Sequence, residues 1–213
     1  MKIYNPSVGK EILNRKEIVI FDFDGVLVDS VKIKTDAFAD IYYKFGKKVM
    51  NKVIAHHEQN GGMSRYDKFT FYHNEFLGIN PNENDIKELS RIFSDLVVDK
   101  ISKTDEVESV TEVLKYIQSK ELICSIASAA PEKEVTEIVK RRGWTKFFNF
   151  ILGSPASKVC NIRSILQKTK KQPSQAIFFG DSPNDLSAAK ECDVDFVPIN
   201  FLAKNNEGFR NFL

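Results

Sequence analysis

Residues 18–29 read Ile18-Val19-Ile20-Phe21-Asp22-Phe23-Asp24-Gly25-Val26-Leu27-Val28-Asp29, and this stretch decides the fold. A short apolar run that ends at a glycine turn is typical of a parallel strand buried on both faces. The pattern therefore predicts a core strand over Ile18 to Phe21. Asp22 and Asp24 follow that strand directly, and parallel sheets bind ligands at the carboxyl ends of their strands. We therefore expect chemistry at these two carboxylates.

An Asp-x-Asp-Gly sequence has two ordinary alternatives, a solvated turn and part of a calcium-binding loop. An EF-hand loop needs further oxygen ligands at alternating positions and a glutamate at its twelfth. Apolar residues occupy positions 26–28 instead, so the segment continues as buried structure. Both alternatives fit poorly.

A second acidic cluster follows another apolar run, Ala176 to Phe179, which predicts a second core strand. The run leads into a Gly-Asp-Ser-Pro-Asn-Asp sequence at 180–185. Pro183 can start the following helix, which puts Asp185 about one turn beyond Asp181. Taken alone, Asp185 could be an early-helix acid favoured by the helix dipole.

Four carboxylates in one crevice require a cation. They repel each other by roughly 4 kcal/mol for each pair about 4 Å apart at an effective dielectric near 20. Oxygen ligands of this kind favour a hard divalent cation, and Mg²⁺ typically binds one or two carboxylates together with a substrate phosphate. The sequence therefore predicts Mg²⁺ and a phosphate ligand.

A third apolar run, 122–127, predicts a strand that brings Ser128 to the same edge of the sheet. Its hydroxyl could hold a phosphate oxygen, or it could cap a helix that begins near Pro131. Lys158 opens the next helical stretch, where the ordinary alternative is a solvated surface lysine. The acidic clusters favour a role for Lys158 at the site.

These residues, in this order, resemble the four motifs of the haloacid dehalogenase superfamily of phosphotransferases. The first motif is matched by Asp22-x-Asp24-Gly25-Val26, the second by Ser128, the third by Lys158 and the fourth by 180–185. Ala129 follows Ser128 where many members carry asparagine. The resemblance implies an α/β fold, a Rossmann-like core of three layers around a parallel sheet, with an inserted helical cap domain.

The resemblance also implies a two-step reaction. Asp22 would attack a phosphoryl group and become an aspartyl phosphate, which water then opens. Asp24 would act as the acid and then as the base, and we expect neighbouring carboxylates and partial burial to raise its pKa. Lys158 would neutralise the nucleophile and the phosphate.

The same resemblance implies the ligand set. Mg²⁺ would be held by Asp22, by the backbone carbonyl of Asp24 and by Asp181, with Asp185 acting through water or by orienting Lys158. The expected phosphate contacts are Gly25, Ser128 and Ala129.

The segment 31–103 has helical patterning and no apolar strand run. Apolar residues recur at three-to-four spacing over Thr35 to Phe45, Tyr66 to Leu77 and Ile86 to Ile101. An insertion of this kind resembles the helical cap of the branch that holds phosphoglycolate phosphatase and beta-phosphoglucomutase. We therefore expect a core domain of residues 1–30 and 104–213 and a cap of residues 31–103, with hinges near 30 and 103.

A polar loop with a glycine pair interrupts the cap helices at 56–69. Some superfamily members carry a similar Gly-Gly-x-Ser-Arg-x-x-Lys-Phe run, and we interpret it as an anion or hydroxyl grip on the leaving group. Arg65 and Lys68 stand on one helix face, with His57 nearby, as candidate substrate contacts. The alternatives are a solvated face for Arg65 and Lys68 and a surface position for His56 and His57.

Composition narrows the classes of protein to which the chain could belong. A chain of 213 residues with 42% hydrophobic content can bury a full core and a smaller domain, and a net charge of +2 does not argue for nucleic acid. Three dispersed cysteines match no zinc spacing and suggest reduced thiols. No long apolar segment signals a membrane or secretion. We expect a cytoplasmic monomer or homodimer that acts on a small phosphorylated metabolite.

The leading interpretation is a Mg²⁺-dependent phosphatase acting on a small phosphomonoester, either a sugar phosphate or a phosphorylated acid. A phosphomutase of the beta-phosphoglucomutase type shares every core motif and is the first alternative. The second alternative is a catalytically silent binding protein that keeps the fold. Such a protein is expected to lack Asp22, Asp24, Lys158 or Asp181, and this sequence retains all four.

Overall fold

A computed structural model describes residues 1–199, 209, 210 and 212. Its centre is a sheet of five parallel strands in the order β3-β2-β1-β4-β5. The strands are β1 Ile18–Phe21, β2 Ile123–Pro131, β3 Phe150–Ser154, β4 Ala176–Gly180 and β5 Asp195–Pro198. The strand order reverses direction at β1, so the site at its carboxyl end lies where doubly wound sheets bind ligands.

Eight α-helices surround or extend this sheet in the described part of the chain. Five lie between β1 and β2, and three follow β2. The helices are α1 Val31–Tyr42, α2 Lys47–Gln59, α3 Arg65–Phe71, α4 Glu83–Lys103, α5 Val110–Ser119, α6 Glu132–Arg141, α7 Lys158–Thr169 and α8 Pro183–Glu191. The 3-10 segments are Pro6–Arg15, which is interrupted at Gly9, Tyr43–Phe45, Thr145–Phe147 and Pro173–Gln175, and a π-helical turn spans Tyr72–Leu77.

Both faces of the sheet are covered, as the α/β prediction requires. Alternate residues of β1 belong to different apolar clusters, since side chains in a strand alternate between faces. Ile18 and Ile20 pack with α7 and α8 residues such as Ile165 and Ala189. Val19 and Phe21 belong to the cluster on the other face. The three-layer Rossmann-like core is therefore confirmed.

The segment between β1 and β2 builds its own apolar centre from aromatic side chains. Phe38 of α1 lies 4.5 Å from Phe93 and 5.4 Å from Phe69 between ring centroids, and all three rings are buried. The predicted apolar stripes thus face inward. The helix over Lys47–Gln59 was not predicted, although its apolar residues Val49, Met50, Val53 and Ile54 stand at helical spacing.

Two chain crossings connect this segment to the sheet, and they run side by side. The Asp29 N–H donates to the Asp105 carbonyl at 3.1 Å, and the Val107 N–H donates to the Leu27 carbonyl at 3.2 Å. The division into a core of 1–30 and 104–213 and a cap of 31–103 stays a prediction. Part of 104–213 lies outside the described residues.

Two local differences from the sequence expectations concern the site. β2 extends to Pro131 rather than ending at Ala127, so Ser128 lies within the strand. Pro131 occupies the N-cap position of α6 without a side-chain cap. The alternative interpretation of Ser128 as a helix cap is therefore wrong. Among the described residues, no helix combines the length and apolar character needed to cross a membrane.

Candidate active site

Strand register gathers the motif residues at one edge of the sheet. Phe21 of β1 is level with Ile126 of β2 and with Phe179 of β4. Because the strands are parallel, the residues that follow these three positions emerge at the same edge. Asp22 follows Phe21 by one residue. Ser128 follows Ile126 by two residues, and Asp181 follows Phe179 by two. The three motifs therefore meet as predicted.

Lys158 lies between two of the predicted carboxylates. Its Nζ donates to Asp22 Oδ2 at 2.7 Å and also contacts Asp185 Oδ1. All three side chains are buried, and the interpretation of Lys158 as a surface lysine is wrong. Burial alone would lower the pKa of Lys158, but the carboxylates of Asp185 and Asp22 outweigh it and raise that pKa. The ammonium stays charged and fixes one oxygen of Asp22.

Asp185 has a second function at the start of α8. Its carboxylate accepts a hydrogen bond from the Ser182 backbone N–H at 3.1 Å, and the Ser182 hydroxyl accepts one from the Asp185 N–H. This capping box fixes the side chain that contacts Lys158. Asp185 therefore caps the start of α8 and also contacts Lys158. Its role in orienting Lys158 stays a prediction.

Three acidic side chains form a group that could hold a cation. One carboxylate oxygen from each of Asp22, Asp181 and Asp185 lies within 4.8 Å of the others. Burial and the neighbouring acids raise the pKa values of Asp22 and Asp181, although Lys158 opposes the shift. Burial and mutual repulsion therefore both disfavour the charged forms of these acids when no cation is bound. The donors fit Mg²⁺, which favours oxygen ligands.

Gly25 is required at its position beside this group. Its φ of +74° lies in the left-handed region that other residues rarely adopt. A Cβ atom there would overlap the Asp181 carboxylate. The absence of a side chain at Gly25 therefore lets the loop of the first motif lie against Asp181 of the fourth motif.

Asp24 has an environment that the sequence did not reveal. Its Oδ2 accepts a hydrogen bond from Lys34 Nζ at 2.5 Å, and its Oδ1 accepts one from the Ser30 hydroxyl at 2.6 Å. Burial would raise the pKa of Asp24, but Lys34 and these hydrogen bonds outweigh it and lower that pKa. The prediction of a raised pKa is therefore wrong for this arrangement, and the side chain of Asp24 lies outside the acidic metal group.

Ser128 is fully buried beneath the site. Its hydroxyl oxygen accepts a hydrogen bond from the Ala130 N–H at 3.1 Å. Its two successors, Ala129 and Ala130, line the cavity described below. The predicted phosphate contacts of the second motif thus lie at the site edge, with the hydroxyl of Ser128 tied to its own loop.

The glycine pair of the 56–69 loop lies against the fourth motif. The side-chain amide of Asn184 donates to the Gly61 carbonyl at 3.1 Å. A Cβ atom on Gly62 would come within 2.6 Å of the Ser182 hydroxyl and within 3.4 Å of Lys158 Nζ. Only glycine permits this approach, because φ at Gly62 is also positive, at +77°. The loop therefore covers Lys158.

Arg65 connects the insertion to helix α6. Its guanidinium donates to Glu134 Oε1 at 2.6 Å and to the Ser94 hydroxyl at 2.8 Å, and it lies 4.3 Å from the Phe93 ring centroid. Both charged side chains are buried. The solvated-face alternative for Arg65 is wrong. Arg65 does line the cavity, but its charge is already matched by Glu134.

Lys68 and His57 lie on the same wall of the cavity and are both buried, which contradicts the solvated and surface alternatives. Lys68 Nζ lies 2.8 Å from His57 Nδ1. Burial, followed by the effect of Lys34, lowers the pKa of Lys68 to about 7. Burial and the ammonium of Lys68 lower the pKa of His57 to about 3. His57 is therefore neutral and accepts the hydrogen bond.

A cavity of about 390 Å³ joins these groups. Asp22, Asp24 and Asp181 line one side, which we call the core wall, while Lys34 and Lys68, from the segment between β1 and β2, line the other, which we call the cap wall. Sequence reasoning missed Lys34. Its position in the first turn of the helix that follows the first motif could have indicated that it lies near the site. Sequence reasoning also missed Glu134, whose partner Arg65 stands far away in sequence and leaves no local signal.

Comparison with known proteins gives the family. Residues 19–199 match the family of haloacid dehalogenase-like hydrolases. A phosphorylated carbohydrates phosphatase from Thermotoga maritima is 25% identical over 193 residues, covering 85% of this chain and 83% of that protein. A phosphoglycolate phosphatase from Psychrobacter arcticus is 26% identical over 200 residues, covering 87% and 84%.

A solved structure shares the fold. The crystal structure of a predicted phosphoglycolate phosphatase from Haemophilus somnus superposes with a TM-score of 0.69 and 20% sequence identity. The match covers 88% of this chain and 87% of that one. At this identity the likeness concerns the fold, a parallel sheet with helices on both faces.

Proposed function

This chain belongs to the haloacid dehalogenase-like hydrolase family, and we propose that it is a Mg²⁺-dependent phosphatase that hydrolyses a small phosphomonoester through an aspartyl phosphate on Asp22. The names of the two relatives support this class of substrate, since one acts on phosphorylated carbohydrates and the other on phosphoglycolate.

The observation that carries the proposal is the position of Asp22. Its Oδ2 accepts one hydrogen bond from Lys158 Nζ, and its Oδ1 accepts one from the Phe23 N–H, each at 2.7 Å. The residue is 3% exposed and lines the cavity. A carboxylate held at both oxygens cannot rotate freely, so the attack geometry is prepared before substrate binds.

In the first step, an oxygen of Asp22 forms a bond to phosphorus while the bond from phosphorus to the leaving oxygen breaks. The leaving oxygen takes a proton from Asp24. The negative phosphate raises the pKa of the nearby Asp24 carboxyl, which opposes the effect of Lys34 and favours this donation. Lys158 stabilises the charge on the phosphoryl group.

In the second step, a water oxygen bonds to phosphorus and the bond from phosphorus to Asp22 breaks. The water proton passes to Asp24, whose contacts with Lys34 and Ser30 favour the ionised form that a base needs. Asp22, Asp181 and the backbone carbonyl of Asp24 would hold Mg²⁺, with Asp185 orienting Lys158. The cation would supply charge neutralisation between the carboxylates and the substrate phosphate.

The experiment is phosphate release from small phosphomonoesters by the purified chain with Mg²⁺, beside Asp22→Asn and an EDTA control. We expect Asp22→Asn to lower kcat by at least about 10⁴-fold, as removal of a covalent nucleophile does. Asp29→Asn is the matched control, because Asp29 is exposed and lies outside the cavity.

Release that persists in Asp22→Asn at the wild-type rate would reject Asp22 as the nucleophile. Turnover that needs a bisphosphate activator and releases no phosphate would replace the phosphatase with a phosphomutase.

A further inference from the structure

Lys68 is a buried ammonium on the cap wall of the cavity. The residue is 3% exposed. Its Nζ lies 2.8 Å from His57 Nδ1, 3.4 Å from the His57 carbonyl oxygen and 5.8 Å from the Phe38 ring centroid. These partners are all neutral groups. Lys68 thus differs from Lys158, which contacts two carboxylates.

No carboxylate in the described part of the chain lies within ion-pair distance of Lys68. The nearby acids already have other partners, Asp24 with Lys34 and Glu134 with Arg65. Glu58 lines the same cavity but is exposed and forms no ion pair among the described residues. Among the described residues, Lys68 is therefore a buried lysine of the cap wall without a carboxylate partner, whereas Lys34 and Arg65 each have one.

An ammonium removed from water is unfavourable unless an anion pairs with it. Burial lowers the pKa of Lys68 to about 7, which reflects this missing partner. An anion that enters with the ligand would stabilise the charged lysine and gain a charge-assisted hydrogen bond. The cavity of about 390 Å³ has room for a small molecule that reaches from Asp22 to this wall.

We propose that Lys68 binds a second anionic group on the leaving group of the substrate, a carboxylate or a second phosphate. The substrate is then a doubly anionic phosphomonoester rather than the phosphate ester of an uncharged alcohol or sugar. This inference rests on the proposed phosphatase function and selects among its substrates. Arg65 is not the anion site, because Glu134 already neutralises it.

The test compares matched substrates in the wild-type chain with Mg²⁺. Phosphoglycolate is set against 2-hydroxyethyl phosphate, which replaces the carboxylate with a hydroxymethyl group. Glucose 1,6-bisphosphate is set against glucose 6-phosphate, so that the two pairs distinguish a carboxylate from a phosphate. We expect kcat/KM to favour the anionic member of at least one pair by about ten- to hundredfold, the usual range for a hydrogen bond to a charged group.

Variants assign the preference to the lysine. Lys68→Met should reduce the kcat/KM ratio of the preferred pair to within about threefold of one, mainly through KM, and Lys68→Arg should restore part of it. Lys48→Met is the control, because Lys48 is an exposed lysine of the same segment, and it should keep the wild-type ratio. Titration calorimetry of the same esters with the Asp22→Asn variant measures the preference as a ratio of dissociation constants, without turnover.

Several results would overturn the inference. Equal kcat/KM values within each pair would reject it while leaving the phosphatase function intact. The same holds for a preference that survives in Lys68→Met or disappears equally in Lys48→Met. Absence of phosphate release from all four esters would instead reject the proposed function, and the inference with it.

Discussion

The two walls of the cavity each bury one lysine, but the charges around these two lysines differ. On the core wall, Lys158 lies between Asp22 and Asp185, and the surrounding acids keep it charged. On the cap wall, Lys68 contacts the neutral ring of His57, and burial lowers its pKa. Both side chains are almost fully removed from water. The difference lies in the fixed negative charge that each wall provides.

This contrast separates two tasks. The core wall holds its lysine between fixed carboxylates, which under the proposed function prepares its geometry before any substrate binds. The cap wall lacks one, so its interaction energy depends on what the substrate brings. Such an arrangement would let the core wall carry out the reaction while the cap wall selects the substrate. Arg65, which stands three residues before Lys68 but is paired with Glu134, shows that the cap can also match a buried cation when the role is structural.

The largest expected effect comes from breaking the matched pair between Arg65 and Glu134. Glu134→Leu leaves a buried guanidinium without its carboxylate and should lower the free energy of unfolding by about 3–5 kcal/mol. The double variant Arg65→Met/Glu134→Leu should recover most of that loss, because it removes both charges. Denaturant unfolding of both single variants and the double variant measures the coupling.

Glu137→Leu on the same helix is the matched control for that cycle. Glu137 pairs with Arg141, but both side chains are 44% exposed, so solvent screens the pair and it contributes little to stability. A double variant whose loss equals the sum of the two single losses would show that Arg65 and Glu134 do not act as a pair.

A somewhat smaller effect is expected from Mg²⁺ on the core wall. Binding to the folded chain at 100 times its dissociation constant stabilises it by about 2.7 kcal/mol. For a chain of this size, that raises Tm by roughly 5–10 °C. Asp181→Asn removes one carboxylate of the acidic group and should reduce the shift, whereas Asp29→Asn should keep it. Scanning calorimetry with and without MgCl₂ would contradict this assignment if all three chains shifted equally.

The smallest expected effect is the pH dependence that Lys68 gives to stability. Its folded pKa of about 7 lies below the ordinary value of 10.5. Between these values the unfolded chain binds more protons, so the free energy of unfolding rises with pH. The groups that set this pKa besides burial are Lys34, which lowers it, and Asp24, which raises it, while neutral His57 accepts the hydrogen bond.

Between pH 7 and pH 9, wild-type stability should increase by about 2 kcal/mol relative to Lys68→Met. Denaturant unfolding at both pH values measures this difference, with Lys48→Met as the control. A difference between wild type and Lys68→Met that stays constant with pH would mean that Lys68 keeps an ordinary pKa when folded.

The core half of the molecule was predictable from the sequence. Continuous apolar runs located β1 and β4, and parallel register then required Asp22, Ser128 and Asp181 to meet at one edge. The family match confirms the expectation of a hydrolytic enzyme. These features depend on short segments whose residues act together, so local pattern is sufficient to find them.

The cap half was less predictable, because its contacts join distant segments. Hydropathy assigns lysine and arginine to solvent, so neither the burial of Lys68 nor the pairing of Arg65 with Glu134 follows from local pattern. The effect of Lys34 on Asp24 depends on how α1 packs beside the first motif. The lowered pKa of Asp24 therefore needed the structure.

The most direct test of the central claim is chemical trapping of the intermediate. Wild-type protein is mixed with Mg²⁺ and its best substrate, quenched in acid within the first turnover and reduced with borohydride, which converts a phosphorylated aspartate to homoserine. Mass spectrometry of the peptide that contains Asp22 should show this conversion at Asp22, and Asp22→Asn should show none. Phosphate release with Asp22 unmodified throughout the first turnover, or conversion at another aspartate, would contradict the account.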